Sequence, residues 1–346
     1  MHNGIDKGGI VLREILFPTL IILASIAVPI ANSEYIRGVH IVVSFPNLVE
    51  DLKPLLCSSD DITYIAPPGS DPHEYSLTPN NVDDLKRADI IISTAHAPFE
   101  VRIRELRDQG VISGVLVEIP RIPGIVIKKN PLLGTPNYHM PIYDPDNYIV
   151  FINYIVEILS KLNPGCSSYY HEKAIAIINQ IESIKRKTPH LNLSAVADTP
   201  VTQYAVEWTG IRIEYLVVKE HGVEVTPNDL AKIDKALAEN TVDLVVVTYP
   251  IKTRYSMWLI QHAKTYGKPI LYVLTPTSLK PVYAKLENIS IQVREIVKDL
   301  ASINSEDNHF ATQVSPVKRR LFGILSFSTG LLLYSLLIYV LVRRIE

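Results

Sequence analysis

The chain has 346 residues, a net charge of −2 at pH 7, 47% hydrophobic residues and two cysteines. The charge balance, near −6 over residues 34–317, excludes the basic field that nucleic-acid binding requires. Two cysteines with no paired spacing exclude a thiolate zinc site, and the length is too great for one small core.

Residues 15–33 carry no charge, follow Lys7 and Arg13, and close on Ala31-Asn32-Ser33, a small-x-small pattern suited to signal-peptidase cleavage before Glu34. Residues 1–33 therefore read as a signal peptide or, since 19 uncharged residues approach the roughly 20 of a bilayer span, as an N-terminal anchor. Either reading exports the bulk of the chain, a setting that permits a Cys57–Cys166 disulfide and leaves open whether the two sulfurs meet.

From 34 to 165, strand-like runs at His40 to Phe45, Ile62 to Ala66, Ile90 to Thr94 and Val115 to Ile119 alternate with helical segments, which predicts an N-terminal α/β lobe. Within 166–188, Tyr170, Ala174, Ile177, Ile178, Ile181 and Ile184 recur at helical spacing and predict a connecting helix. A second α/β lobe is predicted over 189–301, with strands at Ser194 to Ala197, Glu214 to Val218, Leu244 to Val247 and Ile270 to Leu274. Residues 302–320 are polar enough for a tether, and 321–342 form a 22-residue uncharged run between basic flanks, long enough for a transmembrane helix with 343–346 as a cytoplasmic tail. The predicted fold class is thus α/β, with two lobes each built on a mostly parallel sheet covered by helices, joined by one long helix, plus a C-terminal transmembrane helix.

Pro67-Pro68-Gly69 followed by Asp71-Pro72-His73-Glu74-Tyr75 holds one imidazole in a stiff turn just after an apolar run. Proline on the preceding residue limits how far His73 can wander, and neutral imidazole is the commonest zinc donor. Around this turn, Ser44-Phe45-Pro46, Leu77-Thr78-Pro79 and Ala88-Asp89 followed by Ile90-Ile91-Ile92 agree in order and spacing with the zinc and manganese solute-binding proteins of ABC importers. The chain resembles that family most closely from Ser44 to Glu100 and more weakly from about 39 to about 301.

The resemblance implies a divalent ion held in the crevice between two lobes, with His73 as first ligand and His139, in Asn137-Tyr138-His139-Met140-Pro141, as second. It implies two further ligands from the second lobe, but those places hold Thr199 and Thr275, and a commonly acidic place before Pro250 holds Tyr249. Loops after strand C-termini line the crevice of open α/β sheets, which adds His96 as a candidate and Asp198, beside Thr199, as an oxygen donor. His221 and Glu224 lie in the next second-lobe loop and are also within its reach.

The function implied is capture of zinc or manganese outside the cytoplasm for an ABC permease driven by its ATPase, with the C-terminal helix holding the binder at the membrane. No Gly-x-Ser-x-Gly elbow, His-Glu-x-x-His helix or phosphate-cradling loop with Lys is present, so no enzyme is expected. The two threonines keep open a two-lobed binder of an organic solute or partner protein, and a metal held by His73 and His139 keeps open a membrane-anchored hydrolase.

Overall fold

The structure is a computed structural model that describes residues 37–251 and 253–299. The sequence-predicted signal segment, tether and C-terminal span lie outside those residues. Among the described residues, no helix is long and apolar enough to cross a membrane.

The first sheet contains β1 (His40–Val43), β2 (Asp61–Tyr64), β3 (Ile90–Ser93) and β4 (Val115–Glu118), all parallel, in the order β2-β1-β3-β4. Composition matches position: β3 is a run of Ile90, Ile91 and Ile92 buried on both faces, whereas the edge strand β2 carries Asp61, Thr63 and Tyr64. The second sheet repeats this topology with β5 (Leu193–Ala197), β6 (Ile211–Leu216), β7 (Leu244–Tyr249) and β8 (Ile270–Leu274), in the order β6-β5-β7-β8. The molecule is therefore a pair of α/β lobes, each with a parallel four-stranded sheet.

Strand β6 begins at Ile211, three residues before the sequence-predicted Glu214. It is an edge strand whose Ile211 and Ile213 point inward while Arg212 and Glu214 face solvent, so its signal is an alternation instead of an apolar run. Gly210 starts it at φ +82°, and a Cβ there would stand 1.7 Å from the Leu191 carbonyl oxygen.

Proline opens several helices. Pro46, Pro79, Pro98, Pro145 and Pro227 each occupy a helix start, where the missing N–H removes no intrahelical bond. Two long helices, α4 (Pro145–Leu162), with Asp144 capping its first turn, and α5 (Ser167–Lys187), pack against each other. Their buried faces join a core that runs unbroken through both lobes and takes in Val282, Leu286, Ile289, Val293 and Ile296 of the helix over 282–299, the last among the described residues. The Cys57–Cys166 disulfide is formed, with Cα atoms 6.4 Å apart, and fastens the chain after the first helix, Pro46–Leu52, to the start of α5.

Polar bonds also cross between the lobes inside this core. Asp51, fully buried, accepts from the Tyr148 hydroxyl at 3.0 Å and from the Val282 backbone N–H at 2.6 Å. Burial pushes its carboxyl up to about 6, against the pull of Lys285, whose own ammonium burial pushes down to about 8. Lys285 donates to the Pro276 carbonyl at 2.6 Å, and the Tyr143 hydroxyl donates to the Leu274 carbonyl at 2.7 Å. The Asp51 and Tyr143 bonds fix the segment after β8 to the first lobe, and the Lys285 bond braces that segment internally.

Candidate metal centre

In each sheet the chain reverses its direction of winding between the two central strands, so the carboxyl ends of β1 and β3, and of β5 and β7, open onto a crevice. A cavity of about 370 Å³ lies there, and four imidazoles, those of His73, His96, His139 and His221, reach its wall.

His96 sits in the turn between β3 and the helix Pro98–Asp108. That turn is organised by Glu100, 1% exposed, whose carboxylate accepts from the Ser93 and Thr94 hydroxyls and from the backbone N–H groups of Thr94, His96 and Ala97 at 2.6–3.1 Å. Ala95, immediately before His96, is held at φ +57°, a left-handed conformation that costs a non-glycine residue about 1 kcal/mol. The outcome is an imidazole whose Nε2 is buried with no hydrogen-bond partner. A buried lone pair left unpaired is costly unless a ligand completes it.

His139 is held in a similar way, with Met140 beside it at φ +56°. Its Nδ1 lies 2.9 Å from the Asn137 side-chain oxygen, which also accepts from the His139 backbone N–H at 3.0 Å. The Asn137 amide is oriented by donation to the Pro200 carbonyl and to Gln203 Oε1, both at 2.9 Å, and Gln203 in turn donates to the Lys129 carbonyl and to Glu207. This relay puts the His139 proton on Nδ1 and leaves the Nε2 lone pair for the crevice. Burial pushes the His139 imidazole down to about 4, with Glu220 opposing the shift, so the ring is neutral at pH 7 and ready to ligate.

Glu220 comes from the loop after β6, and its Oε1 lies 3.1 Å from His139 Nε2. His96, His139 and Glu220 each offer one donor atom, and the three lie within 4.8 Å of one another. Donors on a tetrahedral zinc ion at 2.0–2.2 Å stand roughly 3.4 Å apart, so the trio fits such an ion with small adjustments. The His96 and His139 rings meet at 66°, with centroids 4.5 Å apart, which allows their in-plane lone pairs to converge.

His73 lies beside the trio without joining it. An Asp71 side-chain bond at 2.8 Å sets its turn, its ring meets His96 edge-on at 5.5 Å, and it stacks on His221 at 3.9 Å with 9° between the planes. Parallel rings send their lone pairs along parallel lines, so one of this pair rotates before both bind one ion. Burial and then the neighbouring His221 and His96 lower the His73 pKa, which favours its neutral form.

Asp198, expected as an oxygen donor, goes elsewhere. It is 0% exposed, and its carboxylate accepts from the Thr248 backbone N–H at 3.0 Å and from the hydroxyls of Thr248 (2.6 Å), Ser256 (2.8 Å) and Thr199 (3.4 Å). It braces the end of β5 against β7 and the helix Arg254–Thr265, and it is not among the residues lining the cavity. Thr199 and Thr275 do line the cavity, in the places where the resemblance implied acid or imidazole. The rule that points to loops after strand ends picks out the segment of Glu220 and His221, but sequence reasoning named His221 and Glu224 and passed over Glu220.

The family model described as zinc-uptake complex component A, periplasmic (ZnuA), matches residues 41–290. The chain belongs to this family. ZnuA-family solute-binding proteins are non-enzymatic transport components that work with an ABC permease and ATPase and bind divalent metals. Among solved structures, the solute-binding protein FpvC of Pseudomonas aeruginosa in complex with Mn2+ superposes with a TM-score of 0.62 at 15% identity, covering 76% of this chain and 99% of that one. A ZnuA crystal structure gives 0.59 at 16% identity over 75% and 98% of the two chains. A Mn-bound periplasmic metal-binding protein from Candidatus Liberibacter asiaticus gives 0.56 at 16% identity over 76% and 100%. At these identities the likeness shows the fold, and the site has to be argued from this chain's own residues.

Proposed function

We propose that this ZnuA-family protein captures zinc in the crevice between its lobes and hands it to an ABC permease powered by its ATPase. The observation that supports this most is the meeting of His96, His139 and Glu220 within 4.8 Å at the crevice wall. His73 stands beside the trio, stacked on His221, and Asp198 remains a structural brace. Imidazole-rich donors with one carboxylate suit zinc better than manganese, whose sites are richer in oxygen. Manganese is then a weaker cargo of the same site.

The uncharged run 321–342 supports a membrane-tethered version of this function, in which residues 302–320 let the lobes reach the permease from a helical anchor. A tether of that kind keeps the binder near its permease without requiring a tight complex.

The test is zinc binding by the full chain after removal of metal with a chelator. One equivalent of zinc should be retained on dialysis, and zinc at a hundredfold excess over Kd should stabilise the fold by about 2.7 kcal/mol. Retention of no divalent metal would remove the transport reading and favour a binder of organic solutes.

A further inference from the structure

We infer that the cargo enters as a metal already carrying a small bidentate ligand, an amino- or hydroxy-carboxylate. This rests on the metal-binding reading above and adds a second component to it.

The cavity is asymmetric and larger than an ion requires. Its volume of about 370 Å³ is that of roughly a dozen waters at about 30 Å³ each, and it falls in the size class of organic-ligand pockets. Besides the four imidazoles, its lining includes Thr199, Thr275, Thr277, Pro200 and Val218, and no charged group. An ion held by His96, His139 and Glu220 keeps a fourth coordination position open, and a fifth when its coordination expands, beside this neutral lining.

Closing the lobes does not remove the space. The Thr275 side is pinned to the first lobe through the bonds of Tyr143 to Leu274 and Asp51 to Val282, at 2.6–2.7 Å, and Lys285 braces Pro276 from within the same segment at 2.6 Å. The Thr199 side is pinned by Asn137 to the Pro200 carbonyl at 2.9 Å, inside the protein. These bonds, flanking the cavity from two directions, and a core continuous across the lobes fix its width.

Charge decides what fills it. A divalent cation bound by neutral imidazoles and one carboxylate retains a net positive charge in a mostly apolar cavity, which is costly. One further carboxylate on the metal brings the assembly to neutrality, and an amine or hydroxyl of the same small molecule takes the second open position. The rest of the ligand then meets threonine hydroxyls and the amide of Asn47, which is 2% exposed and lines the same cavity. A larger, charged appendage has no partner on this wall.

The experiment uses the metal-free full chain, loaded with zinc alone, with zinc plus L-histidine, and with zinc plus lactate. After gel filtration, metal content and small molecules released on denaturation are counted. The inference predicts one L-histidine or lactate per zinc, retained only when zinc is present, with zinc affinity raised at least tenfold over zinc alone. Zinc retained at one equivalent with neither coligand overturns the inference and leaves the transport reading standing, whereas no zinc in any arm overturns both. Val218→Trp, which fills the neutral side, should lower coligand retention at least tenfold; if this variant does not fold, the comparison on the unaltered protein still decides.

Discussion

The two walls of the crevice are built from the same topology and do different work. On the N-terminal side, two histidines are held by dedicated machinery, Glu100 for His96 and the Glu207–Gln203–Asn137 relay for His139, with a left-handed residue beside each of them. On the second-lobe side, the equivalent strand-end loops carry Thr199 and Thr275, while Asp198 turns inward as a brace and the donor carboxylate comes from the loop after the edge strand β6. Repetition of a fold therefore repeats the place where a site forms without repeating its chemistry. The ligand set has to be read loop by loop.

The largest effect expected from disturbing the comparison is on the imidazole wall. Removing both donors, His96→Ala with His139→Ala, should abolish zinc retention on dialysis, and each single change should weaken binding by at least about a hundredfold, because structural zinc affinity is spread over a few strong donors. Next comes the bond set that pins the walls. Asp51→Leu or Lys285→Met alone leaves the other charge buried without its opposite and removes the bonds to Tyr148 and Val282 or to Pro276, and denaturant unfolding should report a loss of roughly 3–5 kcal/mol for either; the double variant should lose less than the sum of the two. A double-variant loss equal to that sum would mean that the two charges are not coupled.

A smaller effect separates a positioned histidine from a merely present one. Asn137→Ala leaves His139 in place but removes its Nδ1 partner, and zinc affinity should fall about 10–100-fold by equilibrium dialysis, the range of second-layer partners at metal sites. Asn137→Asp, which still accepts from Nδ1–H, should recover part of it. On the neutral wall the sign reverses: Thr275→Asp supplies a carboxylate where the family pattern has one, and bare zinc should bind at least about tenfold more tightly.

The smallest effect is on the stability of the metal-free protein with pH. The His139 pKa is about 4 in the folded chain against an ordinary 6.5, so the unfolded chain takes up this proton first. The stability associated with a neutral His139 is complete above about pH 6.5 and is lost as pH falls towards 4. In His139→Gln that part of the pH dependence should vanish from denaturant titrations.

Much of the fold was legible because parallel strands buried on both faces read as apolar runs, as Ile90-Ile91-Ile92 and Leu244 to Val247 do. The edge strand β6 was read three residues late because Arg212 interrupts its inward-facing Ile211 and Ile213, which leaves no apolar run at its start. His73, His96 and His139 were legible from turn chemistry and from their places after strand ends, and the structure brings all three rings to one cavity. Asp198 was misread for a physical reason: a carboxylate at a strand end faces the ligand or the neighbouring strand according to its rotamer and its available donors, and Thr248 and Ser256, far away in sequence, supply those donors. Glu220 was missed because its approach to His139 depends on a loop anchored elsewhere, by the Lys219–Asp229 ion pair at 2.7 Å and by Asn130 donating to the Lys219 carbonyl.

The most direct test of the account is the zinc content and affinity of the full chain beside its Glu220→Gln variant, since Glu220 is the carboxylate that the second lobe contributes to the trio. The account predicts one equivalent of zinc in the unaltered protein and affinity lowered at least tenfold by Glu220→Gln. Equal affinity in the two proteins would contradict it, because the ion would then be held without the donor that joins the second lobe to the histidine wall.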